Sequence, residues 1–182
     1  MNIEIDLSAY KEILFNRFWI KLKYALWLVI SNVYFLTNIP YPNRLKVFIL
    51  RLFGAKVGKA CVVKPWVKIK FPWELEIGDY VWLGEDVWID NISKITIGSH
   101  VCISQGALLL TGNHRYDKFD FSLESKPIFI ENGAWICAKS IVCGGVTIEN
   151  HAVLGLGCVA KSNLTAYTIY QSDKITKIRT IN

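Results

Sequence analysis

One pattern of apolar positions runs through most of the chain. Aliphatic residues recur six residues apart, with occasional steps of eight, and the same phase returns after one interruption. This period matches neither an amphipathic helix, which repeats every ~3.6 residues, nor a single alternating strand. It matches a parallel β-helix, in which each six-residue unit forms one flat face and stacked coils bury one apolar column. The fifteen positions are Val57, Val63, Ile69, Ile77, Leu83, Ile89, Ile97, Ile103, Leu109, Ile130, Ile136, Val142, Ile148, Leu154 and Ala160.

The same repeat predicts the shape of each coil. Three faces of six residues give a coil of eighteen, and the steps of eight that follow Ile69 and Ile89 predict two-residue bulges at one corner. Glycine often follows the inward aliphatic residue directly, as at Gly58 and Gly78. We expect this glycine to turn the corner through backbone angles that a Cβ would resist. The pattern predicts a mainly β protein of about five coils.

The chain divides into three segments. We expect an N-terminal helical segment over residues 1–56, the β-helix over 57–160, and a short C-terminal tail over 161–182. The repeat is abandoned between Thr111 and about Lys126, which predicts one irregular loop at 111–126. A regular scaffold interrupted by a single irregular loop is typical of a protein whose function lies in that loop.

Two helices are predicted within the N-terminal segment. The first covers residues 16–36, after which Pro40 and Pro42 break the chain. The second begins with Asn43 as its cap and is ended by Gly54. The apolar residues that share one side are Leu22, Ala25, Leu26, Val29 and Ile30 in the first helix and Leu45, Phe48, Ile49 and Leu52 in the second.

The positive charge of the chain is concentrated near its N-terminus. The net charge is +6; residues 1–60 carry nine Lys or Arg against three Asp or Glu, whereas residues 61–182 carry twelve of each. Two roles for this segment remain open. It caps the exposed end of the β-helix, or residues 11–36 make a peripheral membrane contact, with Lys21 and Lys23 near Trp19 and Trp27. No stacking platform or basic run points to nucleic acid.

Localisation and cysteine chemistry point to the cytoplasm. The start of the chain is acidic and lacks the charged region of a signal peptide. The apolar run from Tyr24 to Leu36 is shorter than the ~20 residues needed to span a bilayer. The five cysteines are odd in number and lack metal-ligand spacing, so we expect buried, reduced thiols and no metal site. We therefore expect a cytoplasmic protein, with peripheral contact at the inner face of the membrane if residues 11–36 bind lipid.

Only three histidines are present. His100 and His151 occupy the fourth place of ordinary repeat units, where a solvated or interface histidine is the simpler interpretation. His114 lies in the irregular loop, directly after Gly112 and Asn113. Because neutral imidazole accepts protons at physiological pH, His114 is the candidate general base.

Several segments resemble the hexapeptide-repeat acyltransferase superfamily, whose left-handed parallel β-helix is an exception to the usual right-handed crossover. Within that superfamily, residues 48–170 are similar to the colanic-acid-type (WcaF-like) sugar O-acetyltransferases. The segments that carry the resemblance are 49–58 (ILRLFGAKVG), 87–91 (VWIDN), 101–106 (VCISQG), 110–114 (LTGNH) and 133–136 (GAWI).

The resemblance implies an acetyl-CoA-dependent O-acetyltransferase that acts on a saccharide, such as an exopolysaccharide or a lipid-linked precursor. It implies that His114 deprotonates the acceptor hydroxyl, which attacks the thioester directly. It also implies a homotrimer with the cofactor in a groove between adjacent subunits. Four tryptophans expected to point outward support the trimer, because they are too many to leave in water; these are Trp66, Trp82, Trp88 and Trp135.

The resemblance also assigns binding residues. Trp135 matches a tryptophan beside the active site, although an interface tryptophan would look the same. The other residues expected to contact the acceptor, each also explicable as a solvated corner or turn residue, are Glu85, Asp90, Asn91 and Asn113. The residues implied for the cofactor are Ala138 and Leu156 through their backbone, and Lys161, Ser162, Lys177 and Arg179.

Two departures from the family pattern are present. Residues 172–176 replace a turn of the Gly-Asn-Pro-Ala-Lys type, and Cys137 stands where relatives commonly have glycine. These changes leave one non-catalytic alternative open, a β-helix scaffold or binding protein that has lost cofactor binding. A γ-type carbonic anhydrase on the same scaffold is excluded, because His100, His114 and His151 lack the spacing of its three metal ligands.

Overall fold

The chain forms a parallel β-helix with three flat faces, preceded by two α-helices. The computed structural model describes residues 4–11, 18–171 and 174–178. The elements are a 3-10 turn at Leu7–Ala9, α1 (Phe18–Tyr34), α2 (Asn43–Leu52), β1 (Lys56–Val57), β2 (Val62–Val63), β3 (Lys68–Ile69), a 3-10 turn at Pro72–Glu74, β4 (Leu75–Ile77), β5 (Trp82–Leu83), β6 (Trp88–Asp90), β7 (Ile95–Ile97), β8 (Cys102–Ile103), β9 (Leu108–Leu110), β10 (Gly112–His114), β11 (Leu123–Ser125), β12 (Ile128–Ile130), β13 (Trp135–Ile136), β14 (Ile141–Cys143), β15 (Thr147–Ile148), β16 (Val153–Leu154), β17 (Val159–Ala160), β18 (Thr168–Gln171) and β19 (Lys174–Ile178).

Successive strands are distributed over three sheets, which we call the first, second and third faces. The first face contains β1, β4, β7, β12 and β15; the second contains β2, β5, β8, β13, β16 and β18, extended by β19; and the third contains β3, β6, β9, β14 and β17. Lys56 pairs with Glu76, twenty residues on, whereas Phe129 pairs with Thr147, eighteen residues on. The predicted three faces, and the extra residues in the early coils, are therefore confirmed.

The core is the single column of side chains that the repeat predicts. All fifteen inward positions, from Val57 to Ala160, are buried. Each buried aliphatic side chain contributes roughly 1.5–3 kcal/mol of transfer free energy. Since every coil has inward residues on all three faces, each coil packs against the coil before it and the coil after it.

The β-helix has about six turns rather than the predicted five. Leu164 forms a parallel bridge with Ile148, and β18 pairs in parallel with β16, so coiling continues beyond residue 160. The sequence hid this turn because the inward residue after Ala160 comes four positions later instead of six. β19 then folds back antiparallel onto β18.

The glycine that directly follows the inward aliphatic residue does not turn the corner as the repeat suggested. The left-handed backbone conformation falls on the third residue after the inward aliphatic one, for example Tyr80 with φ of 56° and Asp86 with φ of 58°. Gly78 is needed for another reason: a Cβ built there would lie 2.7 Å from the carbonyl carbon of Gly98 in the next coil. The expectation that these glycines turn the corner was therefore wrong; Gly78 permits close stacking of successive coils.

The two helices pack against the first coils. The Trp27 indole N–H of α1 donates to the carbonyl of Ile69 at 2.8 Å, and the buried Lys46 ammonium of α2 donates to that of Val63 at 3.0 Å. Asn43 is not the predicted cap: Pro42 holds that position, and the Asn43 side chain accepts the Val63 N–H at 2.9 Å. The chain turns out of α2 at Gly54, whose φ is +100°, as predicted.

We expect Gly78→Ala to lower the free energy of unfolding by about 1–3 kcal/mol, because the methyl group would force two coils apart. Asp86→Gly should stay within about 1 kcal/mol of wild type, since removing a strained Cβ offsets the added backbone entropy. Chemical denaturation of both variants measures the difference. Equal tolerance of the two changes would show that close stacking does not require glycine at position 78.

Candidate active site

The irregular loop is a β-hairpin that leaves the coil between the third and first faces. β10 and β11 pair antiparallel, with His114 opposite Leu123. The start of the hairpin is held by Thr111, whose hydroxyl donates to the Asp90 carbonyl at 2.9 Å. A Cβ at Gly144 would lie 2.7 Å from the Thr111 carbonyl oxygen, so the glycine in the next coil leaves room for the start of the hairpin. The hairpin is thus attached firmly to the scaffold.

His114 is held in one tautomer by the loop backbone. Its Nδ1 lies 2.8 Å from the carbonyl oxygen of Phe121. Because a carbonyl only accepts hydrogen bonds, Nδ1 must carry the proton, and the lone pair of the neutral ring is on Nε2. The ring also stacks on the Phe121 ring, with centroids 4.5 Å apart and an interplanar angle of 5°. In its neutral form, His114 therefore presents the lone pair of Nε2 in a fixed orientation.

Phe121 and Tyr10 are two residues near His114 that the sequence did not predict. Phe121 has φ of 47°, a conformation that costs about 1–2 kcal/mol for a residue with a Cβ. Tyr10 belongs to an N-terminal arm whose Asp6 N–H donates to the Phe119 carbonyl at 2.8 Å, and its ring centroid lies 5.7 Å from that of His114. The aromatic residues of the loop gave a weak signal for Phe121. No local pattern pointed to Tyr10, because a hundred residues separate it from His114.

The rest of the hairpin surrounds His114 with polar groups. The exposed Asn113 side chain accepts the His114 N–H at 2.8 Å and borders a cavity of about 210 Å³ beside Glu124 and Lys126. Arg115 makes two hydrogen bonds to the Asp117 carboxylate, which lower the pKa of Asp117 to about 2. Both residues of this pair are therefore charged at neutral pH.

Asn91 and Asp90 are placed differently from the expectation. Asn91 is wholly buried: its Oδ1 accepts the Phe71 N–H at 3.0 Å, and its Nδ2 donates to the Phe71 carbonyl at 2.6 Å. The expected contact with an acceptor is therefore contradicted for Asn91, which instead joins two coils. Asp90 is nearly buried, 2.9 Å from the Lys70 ammonium, and faces a groove of about 250 Å³ beneath α1.

Trp135 and Glu85 lie on another side of the molecule. Trp135 projects from the second face, and its indole N–H donates to the Ser104 hydroxyl at 2.8 Å. Glu85 borders a cavity of about 350 Å³ on that face, together with Trp82 and Ser104. In a triangular β-helix, the corner between the third and first faces is opposite the second face. One chain therefore does not bring Trp135 to His114; only a second copy could do so.

The residues expected at the cofactor form two groups. Ala138 and Leu156 lie one coil apart at the corner between the second and third faces, where Gly157 N–H donates to the Ala138 carbonyl at 3.0 Å. Lys161 and Ser162 are exposed and border a cavity of about 210 Å³ near the end of the β-helix. Of the tail residues, the Lys177 side chain and the whole of Arg179 lie outside the described residues, as do Ser172 and Asp173.

The remaining histidines and the cysteines are not arranged for catalysis. His100 stacks on Tyr80 and His151 on Tyr167, both at corners, with centroids 4.9 and 5.0 Å apart. None of the five cysteines, all of which lie in the described part of the chain, forms a disulfide bond. Burial raises the pKa of the Cys137 thiol, so it stays neutral and is a poor nucleophile at physiological pH. Among the described residues, no three His, Cys, Asp or Glu side chains are grouped to hold a metal ion.

Solved structures of known proteins share this fold. No family model matches the chain. A hexapeptide-repeat acetyltransferase from Vibrio cholerae superimposes with a TM-score of 0.81, at 21% identity, over 91% of this chain and 96% of that one. The same Vibrio protein bound to acetyl coenzyme A superimposes with a TM-score of 0.75, at 23% identity, over 85% of this chain and 84% of that one. These likenesses support the left-handed parallel β-helix fold.

Sequence relatives define the family. WcaF of Escherichia coli strain K12, provisionally named a colanic acid biosynthesis acetyltransferase, is 37% identical over 158 residues, which are 87% of each chain. Galactoside O-acetyltransferase of the same strain is 28% identical over 131 residues, 70% of this chain and 64% of that protein. The chain belongs to the hexapeptide-repeat acetyltransferases and is a homologue of WcaF within them. It is an acyltransferase, and coenzyme A or acetyl coenzyme A is bound in solved structures of this family.

We expect Asn91→Ala to lower the free energy of unfolding by about 2–4 kcal/mol, because two buried backbone groups of Phe71 lose their partners. The exposed Glu85 provides the control, since Glu85→Ala should change stability by less than about 0.5 kcal/mol. Denaturant unfolding and acceptor KM are measured on both variants. A stable Asn91→Ala protein with a raised acceptor KM would contradict the structural role given to Asn91.

Proposed function

We propose that this protein transfers an acetyl group from acetyl-CoA to a hydroxyl of a saccharide, with His114 as the general base. The observation that carries the proposal is the hydrogen bond between His114 Nδ1 and the Phe121 carbonyl. It fixes the neutral tautomer with its lone pair on Nε2, as a base requires. The hairpin supports this role because its contacts fix the position of the imidazole, and proton transfer requires the base and the hydroxyl to lie within hydrogen-bond distance.

Direct transfer accounts for every proton. His114 Nε2 accepts the proton of the acceptor hydroxyl while that oxygen attacks the thioester carbonyl carbon. The carbon–sulfur bond breaks, and the imidazolium returns the proton to the departing thiolate. The Phe121 carbonyl stabilises the transient imidazolium through Nδ1–H. A backbone N–H is proposed to meet the developing oxyanion, because no side chain of the hairpin is placed to do so. The neutral Cys137 thiol takes no part.

The complete site is proposed to form between subunits of a homotrimer. His114 and Asn113 lie on one corner, whereas Trp135 and Glu85 lie on the opposite face. Two copies packed corner to face would bring the two groups together. Four outward tryptophans, all between 42% and 58% exposed in the single chain, would gain cover in such an assembly; these are Trp66, Trp82, Trp88 and Trp135.

The same arrangement assigns the binding residues. Asn113 of one copy, with Glu85 and Trp135 of its neighbour, is proposed to bind the acceptor hydroxyls near the reacting atom. Asp90, held by Lys70 in the groove beneath α1, is proposed to meet a more distant part of the acceptor. The donor is proposed to lie along the third face and its corners, where the candidate contacts are Ala138, Leu156, Lys161, Ser162, Lys177 and Arg179.

The acceptor is proposed to be an exopolysaccharide unit or a lipid-linked saccharide precursor. The names of two relatives support a sugar acceptor: one is named for colanic acid biosynthesis and the other for the O-acetylation of galactosides. Location in the cytoplasm at the inner face of the membrane, with contact through residues 11–36, completes the proposal. Residues 12–17 of that stretch lie outside the described part of the chain. Among the described helices, none has the length and apolar character required to cross a bilayer.

His114→Ala should lower kcat by roughly 10² to 10⁴, the usual contribution of a positioned base. Acetyl-CoA affinity, measured by calorimetry, should change little, because the imidazole acts on the acceptor hydroxyl.

His100→Ala and His151→Ala are the matched controls, because both residues stack on tyrosines at the corner between the first and second faces, whereas the hairpin leaves the corner between the third and first faces. Both variants should retain nearly wild-type rates with simple sugar acceptors. A folded His114→Ala enzyme with full activity would refute the proposed base.

Light scattering at micromolar concentration should give about 62 kDa, three times the 20.8 kDa of one chain. In mixed trimers of inactive His114→Ala and inactive Trp135→Ala chains, activity should return, because some sites then receive both wild-type residues. A monomeric mass, or no complementation in mixed trimers, would contradict the shared site.

A further inference from the structure

Helix α1 turns its more apolar side away from the protein. Its inner side packs Trp27 and Ser31 against the first coils. Its outer side carries five large apolar residues at helical spacing, with Trp19 74%, Leu26 55% and Val29 62% exposed, and Leu22 and Val33 continuing the stripe. A water-soluble surface helix has the opposite arrangement, with its apolar stripe facing the core. The outer side of α1 is therefore unlike the solvent-facing side of an ordinary surface helix, and we expect it to contact something other than water.

Helix α2 also leaves large apolar residues exposed. Its buried residues are Lys46, Val47, Ile49 and Leu50, whereas Leu45, Phe48 and Leu52 lie on its outer side, with Phe48 62% and Leu52 71% exposed. The two helices are anchored to the same end of the β-helix, since the Trp27 ring of α1 lies 5.1 Å from that of Phe53, next to the end of α2. We call the exposed residues of both helices the outer apolar surface: Trp19, Leu22, Leu26, Val29, Val33, Leu45, Phe48 and Leu52.

The charge around this surface has one sign. Residues 18–52 contain five Lys or Arg and no Asp or Glu. Three of the cations are directed inward: Lys23 lies 4.5 Å above the Trp73 ring, Lys46 binds the Val63 carbonyl, and Arg51 binds the Val57 carbonyl. Lys21 and Arg44 are exposed. An apolar surface with cations beside it and no acid matches the headgroup region of an anionic bilayer.

We propose that the outer apolar surface of α1 and α2 docks on an anionic lipid membrane, with both helices lying in the interfacial plane. The seventeen residues of α1 make a helix of about 26 Å, which fits an in-plane orientation. A second copy of the chain is a poorer occupant, since pairing two such surfaces would bring like charges together without an acid from residues 18–52. Within the expected 11–36 contact, Lys23 and Trp27 are excluded because they face the β-helix.

Docking in this way would orient the enzyme for a membrane-borne acceptor. The groove that contains Asp90 lies directly beneath α1, and Asp90 is joined through Thr111 to the base of the hairpin. His114 is three positions after Thr111, so their Cα atoms are within about 11 Å. This orientation rests on the proposed function, whereas lipid binding itself does not.

Vesicle flotation tests the docking surface. The wild-type protein should float with phosphatidylcholine vesicles that contain phosphatidylglycerol, and bind at least tenfold less well to phosphatidylcholine alone. Leu26→Glu combined with Phe48→Glu should lower the bound fraction at least tenfold. Lys21→Glu combined with Arg44→Glu should weaken binding to the anionic vesicles and reduce its dependence on salt. The control is Phe129→Glu, a single Phe-to-Glu change of the same kind as Phe48→Glu at an exposed position of the first face, which should leave flotation unchanged.

Three results would overturn the proposal. The first is a wild-type protein that is recovered unbound with both kinds of vesicle. The second is a Phe129→Glu variant whose flotation is reduced as much as that of the helix variants. The third is a set of helix variants in which only the mass from light scattering changes. The last outcome would mean that the outer apolar surface binds a second copy of the chain. Acetyl transfer to a soluble sugar should survive in Leu26→Glu/Phe48→Glu and fail in His114→Ala, so failure of lipid docking and failure of the proposed reaction are distinguishable.

Discussion

The stacking of coils around one aliphatic column is the interaction on which the rest of this structure depends. Every coil contributes inward side chains such as Leu83, Ile103 and Ile136, which lie above one another in the second face. Parallel backbone hydrogen bonds between coils are possible only while those side chains remain aligned. The alignment also dictates where small residues must stand, because Gly78 and Gly98 approach within a distance that a Cβ would prevent.

This rigid column makes a precise hairpin possible. The base of the hairpin is fixed to neighbouring coils through Thr111 and Gly144, so the loop departs from the scaffold at a defined point. Within the loop, the Phe121 carbonyl sets the tautomer of His114, and the Phe121 ring sets its plane. The chemistry proposed for this protein depends on that contact, since a free imidazole would divide its proton between two nitrogens.

The triangular cross-section separates groups that are proposed to act together. His114 leaves one corner and Trp135 projects from the opposite face, so the scaffold that positions each residue also keeps them apart within one chain. Association of copies is the simplest way to complete such a site. At the N-terminal end, Trp27 and Lys46 lie on the inner sides of the two helices, and large apolar residues such as Leu26 and Phe48 are left exposed on their outer sides.

The sequence by itself determined the three-faced β-helix, the position of the excursion and the choice of His114, because a six-residue period constrains every inward position and one irregular loop interrupts it. It did not determine the sixth turn, where Leu164 arrives out of phase, or the role of Gly78, whose neighbour is twenty residues away. The burial of Asn91 against Phe71, the carbonyl that orients His114 and the outward side of α1 were decided by tertiary structure. Each depends on which distant groups meet in space, and a local pattern of apolar residues carries no information about that.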